Sequence, residues 1–192
     1  QARKTMKVAQ ELYEGVEVEG LGAVGLITYM RTDSLRLSAE ALADAASYIK
    51  SKYGSKYLPS TPRVFKSKAA AQDAHEAIRP TMPELEPAQV KGSLSSDQYK
   101  LYKLIWERFI ACQMADAVLD TMSADIGCGG WIFRATGQSV AFPGFLALYE
   151  ESTDEVRDEG DDLPLPRLRQ GDKPAFRKVD PKQHFTQPPA RY

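Results

Sequence analysis

A chain of 192 residues, 43% hydrophobic and 27% charged, holds one large domain or two small ones and has the composition of an ordinary globular protein. Its longest apolar runs are broken by charge well before the ~18 residues a spanning helix needs, and no charged-then-apolar leader opens it, which argues against membrane insertion. The formal net charge of −1 hides an asymmetry: residues 1–115 carry 16 Lys and Arg against 13 Asp and Glu, residues 116–192 carry 9 against 13.

The acids of the second half gather in EESTDEVRDEGDD, residues 150–162, which reads as a solvated loop that repels polyanions. Cys112 and Cys128 form no Cys-x-x-Cys pair, so neither a structural metal nor a disulfide framework is expected, and a reducing, cytoplasmic setting fits. Gln1 stands where Met would open a complete chain and the helical pattern starts at once, so the chain reads as a piece of a longer protein.

From Thr5, TMKVAQELYEG places Met6, Ala9 and Tyr13 near one helical stripe with Leu12 beside it and Gly15 as the stop. The Gly-rich EGLGAVG follows as a connector, and GLIT leads as a short strand into Tyr29 and a polar turn. Then LSAEALADAASYIKSKYG repeats Leu42, Ala45, Ala46 and Ile49 at helical spacing, with Ser38 as N-cap and Gly54 as stop. In LSSDQYKLYKLIWERFIACQMADA the Ser95-x-x-Gln98 spacing predicts a capping box, Leu94 and Tyr99 a hydrophobic staple. Apolar residues from Leu101 and Leu104 to Ile110 wrap most of that helix and predict a buried central element.

After Asp116 the texture changes to β-branched and aromatic runs: TMSADIG, WIFRATG, SVAFPG and PAFRKVD, with GCGG at 127–130 as a hairpin connection. The tail QHFTQPPARY is predicted to be extended, and His184 within it receives no role. The fold class is therefore α+β, a mainly helical module over 1–115 followed by a β-rich module over 116–192, which read alone suggests a structural hinge.

Two stretches carry candidate chemistry. In GLITYMRTDS, residues 25–34, Tyr29 is either a packed ring with a wet hydroxyl or a nucleophile. A phenol of pKa ~10 is a poor nucleophile at neutral pH without help. Arg31 falls on the same side as Tyr29 if the segment is extended, where it could lower that pKa or hold a phosphate. In AQDAHEAIRPT, residues 71–81, His75-Glu76 begins like a zinc-protease signature, but Arg79 occupies the second histidine's place and removes the ligand. If helical, this segment puts His75 and Arg79 on one face, a proton donor beside a permanent cation. The bland alternative for each is a packing tyrosine and an ordinary surface histidine.

Taken together, LITYMRTDS and AHEAIRPT, with the sequences from TMKVAQELYEG to HFTQPPARY around them, resemble the type IA DNA topoisomerases of bacteria. The resemblance implies that Tyr29 breaks one DNA strand and becomes joined to its 5′ phosphate, with Arg31 and His75 serving the same site. It implies DNA contacts for the neighbouring Thr32, Asp33, Ser34, Glu76 and Arg79. Leu35 departs from the polar residue many members carry after TDS. It further implies a toroidal multidomain parent that uses Mg2+ to relax negatively supercoiled DNA by cutting one strand, passing the other and resealing. In that case Mg2+ would be bound by a domain absent from this chain, no metal is expected on the chain itself, and the fragment alone is expected to be inactive. The expected partners are a single-stranded region of DNA and the parent's remaining domains, with no membrane. Transesterification conserves the phosphodiester energy, in keeping with a sequence that has no Walker motif. The rival reading is a single-stranded nucleic-acid-binding module without chemistry, which would use the same aromatic and basic residues.

Overall fold

The computed structural model describes residues 2–63, 65, 75–149, 165–175, 177, 178, 180, 181, 183, 185 and 186. Helix α1 (Ala2–Glu14) leads into a small antiparallel hairpin, β1 (Val16–Val18) and β2 (Gly22–Val24). Helix α2 (Ala39–Lys52), the short α3 (Pro87–Val90) and the long α4 (Ser96–Gln113) follow, then a second antiparallel hairpin of β3 (Val118–Cys128) and β4 (Trp131–Phe142). The α+β class read from the sequence holds.

Local signals place the helices. Ser38 Oγ accepts from the Ala41 amide at the start of α2, and its last turn closes with Gly54 N–H donating to Lys50 O. At α4 the capping box forms in both directions, Gln98 N–H to Ser95 Oγ at 3.3 Å and Ser95 N–H to Gln98 Oε1 at 2.9 Å. Helix α4 is the centre of the fold, packing against α1, α2 and α3. It buries Tyr102, Trp106, Phe109 and Ile110 in a core shared with Leu12, Leu26, Ile27, Ile49 and Val90. The two polar aromatics find partners in that interior, Tyr102 Oη donating to Leu85 O and Trp106 Nε1 to Pro83 O. Lys52 Nζ reaches Glu86 at 2.8 Å and ties the end of α2 to the start of α3. This contact holds the Glu86 carboxyl below the usual range.

Four expectations are corrected. Helix α1 buries Val8, Ala9 and Leu12, whereas Met6 and Tyr13 are exposed, because the stripe facing α4 lies one residue away from the one read from Met6. The apolar wrap of α4 is incomplete, since Leu104 is 51% exposed. The Gly-rich connector is the turn and second strand of the β1–β2 hairpin, whose first strand, Val16–Val18, precedes it; strands of three residues are too short to register as runs. Finally, the described residues of 174–180 form no strand: Pro174 lacks a donor, Arg177, Lys178 and Asp180 are exposed, and the segment shares a hollow with β3 without pairing to it.

The β3–β4 hairpin follows its turn chemistry. Gly129 and Gly130 at φ 57° and 86° form the two-residue connection, with both central residues in the left-handed region as the twist of the strands requires. WIFRATG and SVAFPG, read as two runs, are one strand, because Gly137 stays in register opposite Met122. Arg134 forks onto Asp125 across the hairpin. Trp131, Ile132, Phe133 and Val140 remain largely exposed. The acidic stretch 150–162 and His184 lie outside the described residues, as does most of the tail.

Burial along α4 sets a stability test. Ile110→Ala should cost about 2–5 kcal/mol, since a fully buried side chain leaves a cavity, whereas Leu104→Ala on the exposed face should stay within about 0.5 kcal/mol. Urea unfolding of the two variants measures both, and equal losses would contradict the packing described.

Candidate active site

Residues 75–80 form no helix and bend at Ile78. They run beside residues 25–36 and are stitched to them, so His75 and Arg79 do not share a helical face. Leu26 O accepts from Thr81 N–H at 3.0 Å, Arg79 O from Thr28 N–H at 2.9 Å, and Arg36 O from Ala77 N–H at 2.8 Å. Ile27 and Pro80 form an antiparallel bridge. Pro80 favours extended backbone in Arg79 and cannot donate, so the remaining backbone groups are met from the other segment.

Hydroxyls complete the clasp. Thr28 Oγ1 donates to Ala77 O at 2.8 Å and accepts from Arg79 N–H at 2.9 Å. Ser34 Oγ, buried, donates to His75 O at 2.7 Å, and Thr81 Oγ1 donates to Gly25 O at 2.7 Å. A second layer comes from α1, where Leu12 O accepts from Leu26 N–H at 2.8 Å. Gly25 makes that approach possible, since a Cβ there would lie 2.7 Å from Tyr13 O.

The clasp presents Tyr29 at the surface, 47% exposed, at the rim of an open hollow of about 390 Å³. Tyr13 meets the Tyr29 ring edge-on at 5.3 Å between centroids, and His75 lies tilted against it at 6.0 Å. Thr28, Glu76 and Thr81 complete the polar lining. His75 Nδ1 is buried without a protein partner among the described residues, which leaves Nε2 as the nitrogen able to meet a ligand.

The sequence-predicted site residues divide into two groups. Tyr29, His75 and Glu76 line the hollow. Arg31 is not among its lining residues: Arg31 N–H donates to Tyr29 O at 2.9 Å in a γ-turn, so the segment is not extended there, and Arg31 Nε is held by Asp33 Oδ2 at 2.7 Å. Arg79 is mostly buried, with Nε and Nη2 on Glu76 Oε2 and Nη1 on Pro80 O. Ser34 is inside the clasp, while Thr32 and Leu35 are exposed. Thr28, Gly25, Thr81 and Tyr13 were not singled out from the sequence as site residues. Tyr13 had a signal, because the Gly15 stop puts it at the end of a helix where a stripe residue can leave the core.

The nearby carboxylates do not fit a Mg2+ cage. Asp33 and Glu76 are each committed to an arginine, and among the described residues no three His, Cys, Asp or Glu side chains gather.

With this geometry established, comparison with known proteins identifies the class. The family model described as DNA topoisomerase matches residues 1–192. Among solved structures, full-length topoisomerase I from Thermotoga maritima, in a monoclinic crystal form, is similar at 34% identity and a TM-score of 0.66, with 83% of this chain and 25% of that one covered. The chain belongs to the DNA topoisomerase family, and the resemblance carried by its two motifs holds. It spans a quarter of the length of the Thermotoga protein.

The clasp makes a prediction of its own. Thr28→Val keeps the shape but strands the Arg79 amide and the Ala77 carbonyl, at an expected cost of about 1–3 kcal/mol. Thr28→Ser should recover most of it. Denaturant midpoints, read with NMR contacts between the Tyr29 and His75 rings, check this, and a valine variant as stable as the native chain would refute the clasp.

Proposed function

We propose that this chain carries the strand-breaking tyrosine of a type IA topoisomerase, acting through a 5′-phosphotyrosyl intermediate to relax negative supercoils. The observation that supports it most is the exposed Tyr29 ring, held between Tyr13 and His75 on a clasp in which Thr28 and Ser34 of the same motif are engaged. A core tyrosine would be covered; this one is presented.

In the proposed reaction the Tyr29 oxygen attacks phosphorus, the bond from phosphorus to the 3′ oxygen breaks, and that oxygen leaves as a hydroxyl after taking a proton. The 5′ phosphate stays on Tyr29 while the other strand passes, and the reverse attack by the 3′ hydroxyl reseals the strand. One phosphodiester is exchanged for another, so no ATP is consumed. In this reading His75, whose ring lies against that of Tyr29, exchanges or shares a proton near the phenol through Nε2. Arg31 is paired with Asp33 at the surface, a contact worth about 0–1 kcal/mol. An arriving phosphate, offering a bidentate partner, can draw the guanidinium away. A Mg2+ ion in the parent would be held by residues other than those described.

DNA is the proposed partner, as a single strand reaching the net-positive residues 1–115. The exposed Trp131, Ile132 and Phe133 on a two-stranded hairpin, which is marginal alone, support contacts with the parent's remaining domains. The unpaired Cys112 and Cys128 fit a cytoplasmic place.

In the full-length parent, Tyr29→Phe should abolish relaxation and covalent adduct while DNA binding persists; a Phe variant that still forms adduct would remove the proposal. Arg31→Ala should lower cleavage by about 10²–10³-fold with a smaller loss of binding, since a charge aimed at the reacting phosphate counts most in the transition state. Equal losses would make Arg31 a simple phosphate clamp. The chain by itself should bind single-stranded DNA weakly, lose it as salt rises, and form no denaturation-resistant adduct with or without Mg2+.

A further inference from the structure

Beside Tyr29 the hollow has a chemistry that a phosphate site would not have. Its lining of Tyr13, Ile27, Tyr29, His75, Glu76 and Thr81 contains two phenol rings, an imidazole and a carboxylate, and among the described residues no lysine or arginine. Arg31 is turned to Asp33, and Arg79 lies behind Glu76 with its guanidinium on Glu76 and the Pro80 carbonyl. A phosphate entering here would meet an anion and aromatic faces.

A nucleobase would meet the reverse. One of its faces can stack on the Tyr13 ring, an interaction every base can make. Glu76 uses Oε2 for both bonds from Arg79, which leaves Oε1 without a protein partner among the described residues. A fixed carboxylate oxygen accepts from an exocyclic amino group, such as N4 of cytosine, whereas the one donor of thymine, N3–H, lies between two carbonyl oxygens that repel the carboxylate. The Arg79 fork fixes the orientation of that carboxylate, at 26% side-chain exposure.

We propose that this hollow binds the base of the nucleotide immediately 3′ of the break, with Glu76 as its specificity-determining residue and Tyr13 as a stacking platform. The proposal rests on the reading of Tyr29 as nucleophile. That nucleotide remains tethered to Tyr29 through its 5′ phosphate while the 3′-hydroxyl end has no covalent bond to the protein, so its base is the one fixed at the rim. Glu76 thereby favours amino-bearing bases over thymine at this one position.

The test uses the full-length parent with single-stranded oligonucleotides that contain one cleavage site and differ only in the nucleotide 3′ of the break. The native protein should cleave the dC, dA and dG substrates about tenfold better than dT. Glu76→Gln, which offers an acceptor or a donor by turning its amide, should bring dT to within about twofold of the others. Tyr13→Leu should lower adduct on all four substrates while keeping their order. No preference at that nucleotide in the native protein would overturn the proposal, and this arm needs no variant to fold. So would a Glu76→Gln variant that still disfavours dT, or one that raises cleavage of all four equally, since the carboxylate would then only repel the backbone. Tyr29→Phe separates the two readings: adduct on that variant removes the nucleophile, whereas adduct confined to Tyr29 together with a Glu76→Gln base profile like the native one removes only the base site.

Discussion

The pairing of residues 25–36 with residues 75–81 is the constraint on which the site depends. The two segments are some forty residues apart in sequence, and closing that loop costs entropy that only their mutual contacts can offset. Backbone bonds supply part of the return and the hydroxyls of Thr28, Ser34 and Thr81 the rest. The bonds of Thr28 and Ser34 are partly buried, so leaving one of their groups unpaired would cost more than its bond contributes, whereas the Thr81 bond is exposed. The consequence is functional: with the clasp closed, Tyr29 and His75 have no choice but to be neighbours.

The clasp in turn is placed by the helical core. Leu26 and Ile27 are buried on one side of the segment, whose other side carries Tyr29 outward. The amide of Leu26 reaches the end of α1, and α1 lies on α4. A rigid central helix thus fixes the height of the tyrosine ring, and the close approach at Gly25 brings Tyr13 onto its edge. Preorganisation of this kind is what a reaction relying on position requires, because little of the binding energy is then spent on ordering the reacting group.

Sequence made some of this legible and hid the rest for identifiable reasons. Ser38, Ser95-x-x-Gln98 and Gly129-Gly130 act locally, so the ends of α2 and α4 and the turn of the long hairpin could be read directly. Tyr29 and His75 were legible as candidates, since a nucleophile and a proton carrier are chemically conspicuous. What places them was not: Thr28 looks like any strand threonine until residues 77 and 79 arrive from far along the chain. The spacing of His75 and Arg79 fits a helix, yet Pro80 and the waiting carbonyls of Leu26 and Arg36 favour an extended run. Arg31 shows the same limit, for its i+2 spacing suggests a partner of Tyr29 while Asp33 takes the guanidinium.

If the clasp is a standing feature of the chain and not something DNA assembles, its amides must be shielded in the free protein. Hydrogen exchange followed by NMR on the unliganded chain measures this at Thr28, Ala77 and Thr81, whose amides donate to backbone carbonyls across the two segments. The account predicts protection approaching that of the α4 amides around Ile110. Exchange at those three positions as fast as in an unstructured peptide would contradict it, and the neighbouring of Tyr29 and His75 would then have to be created by the substrate.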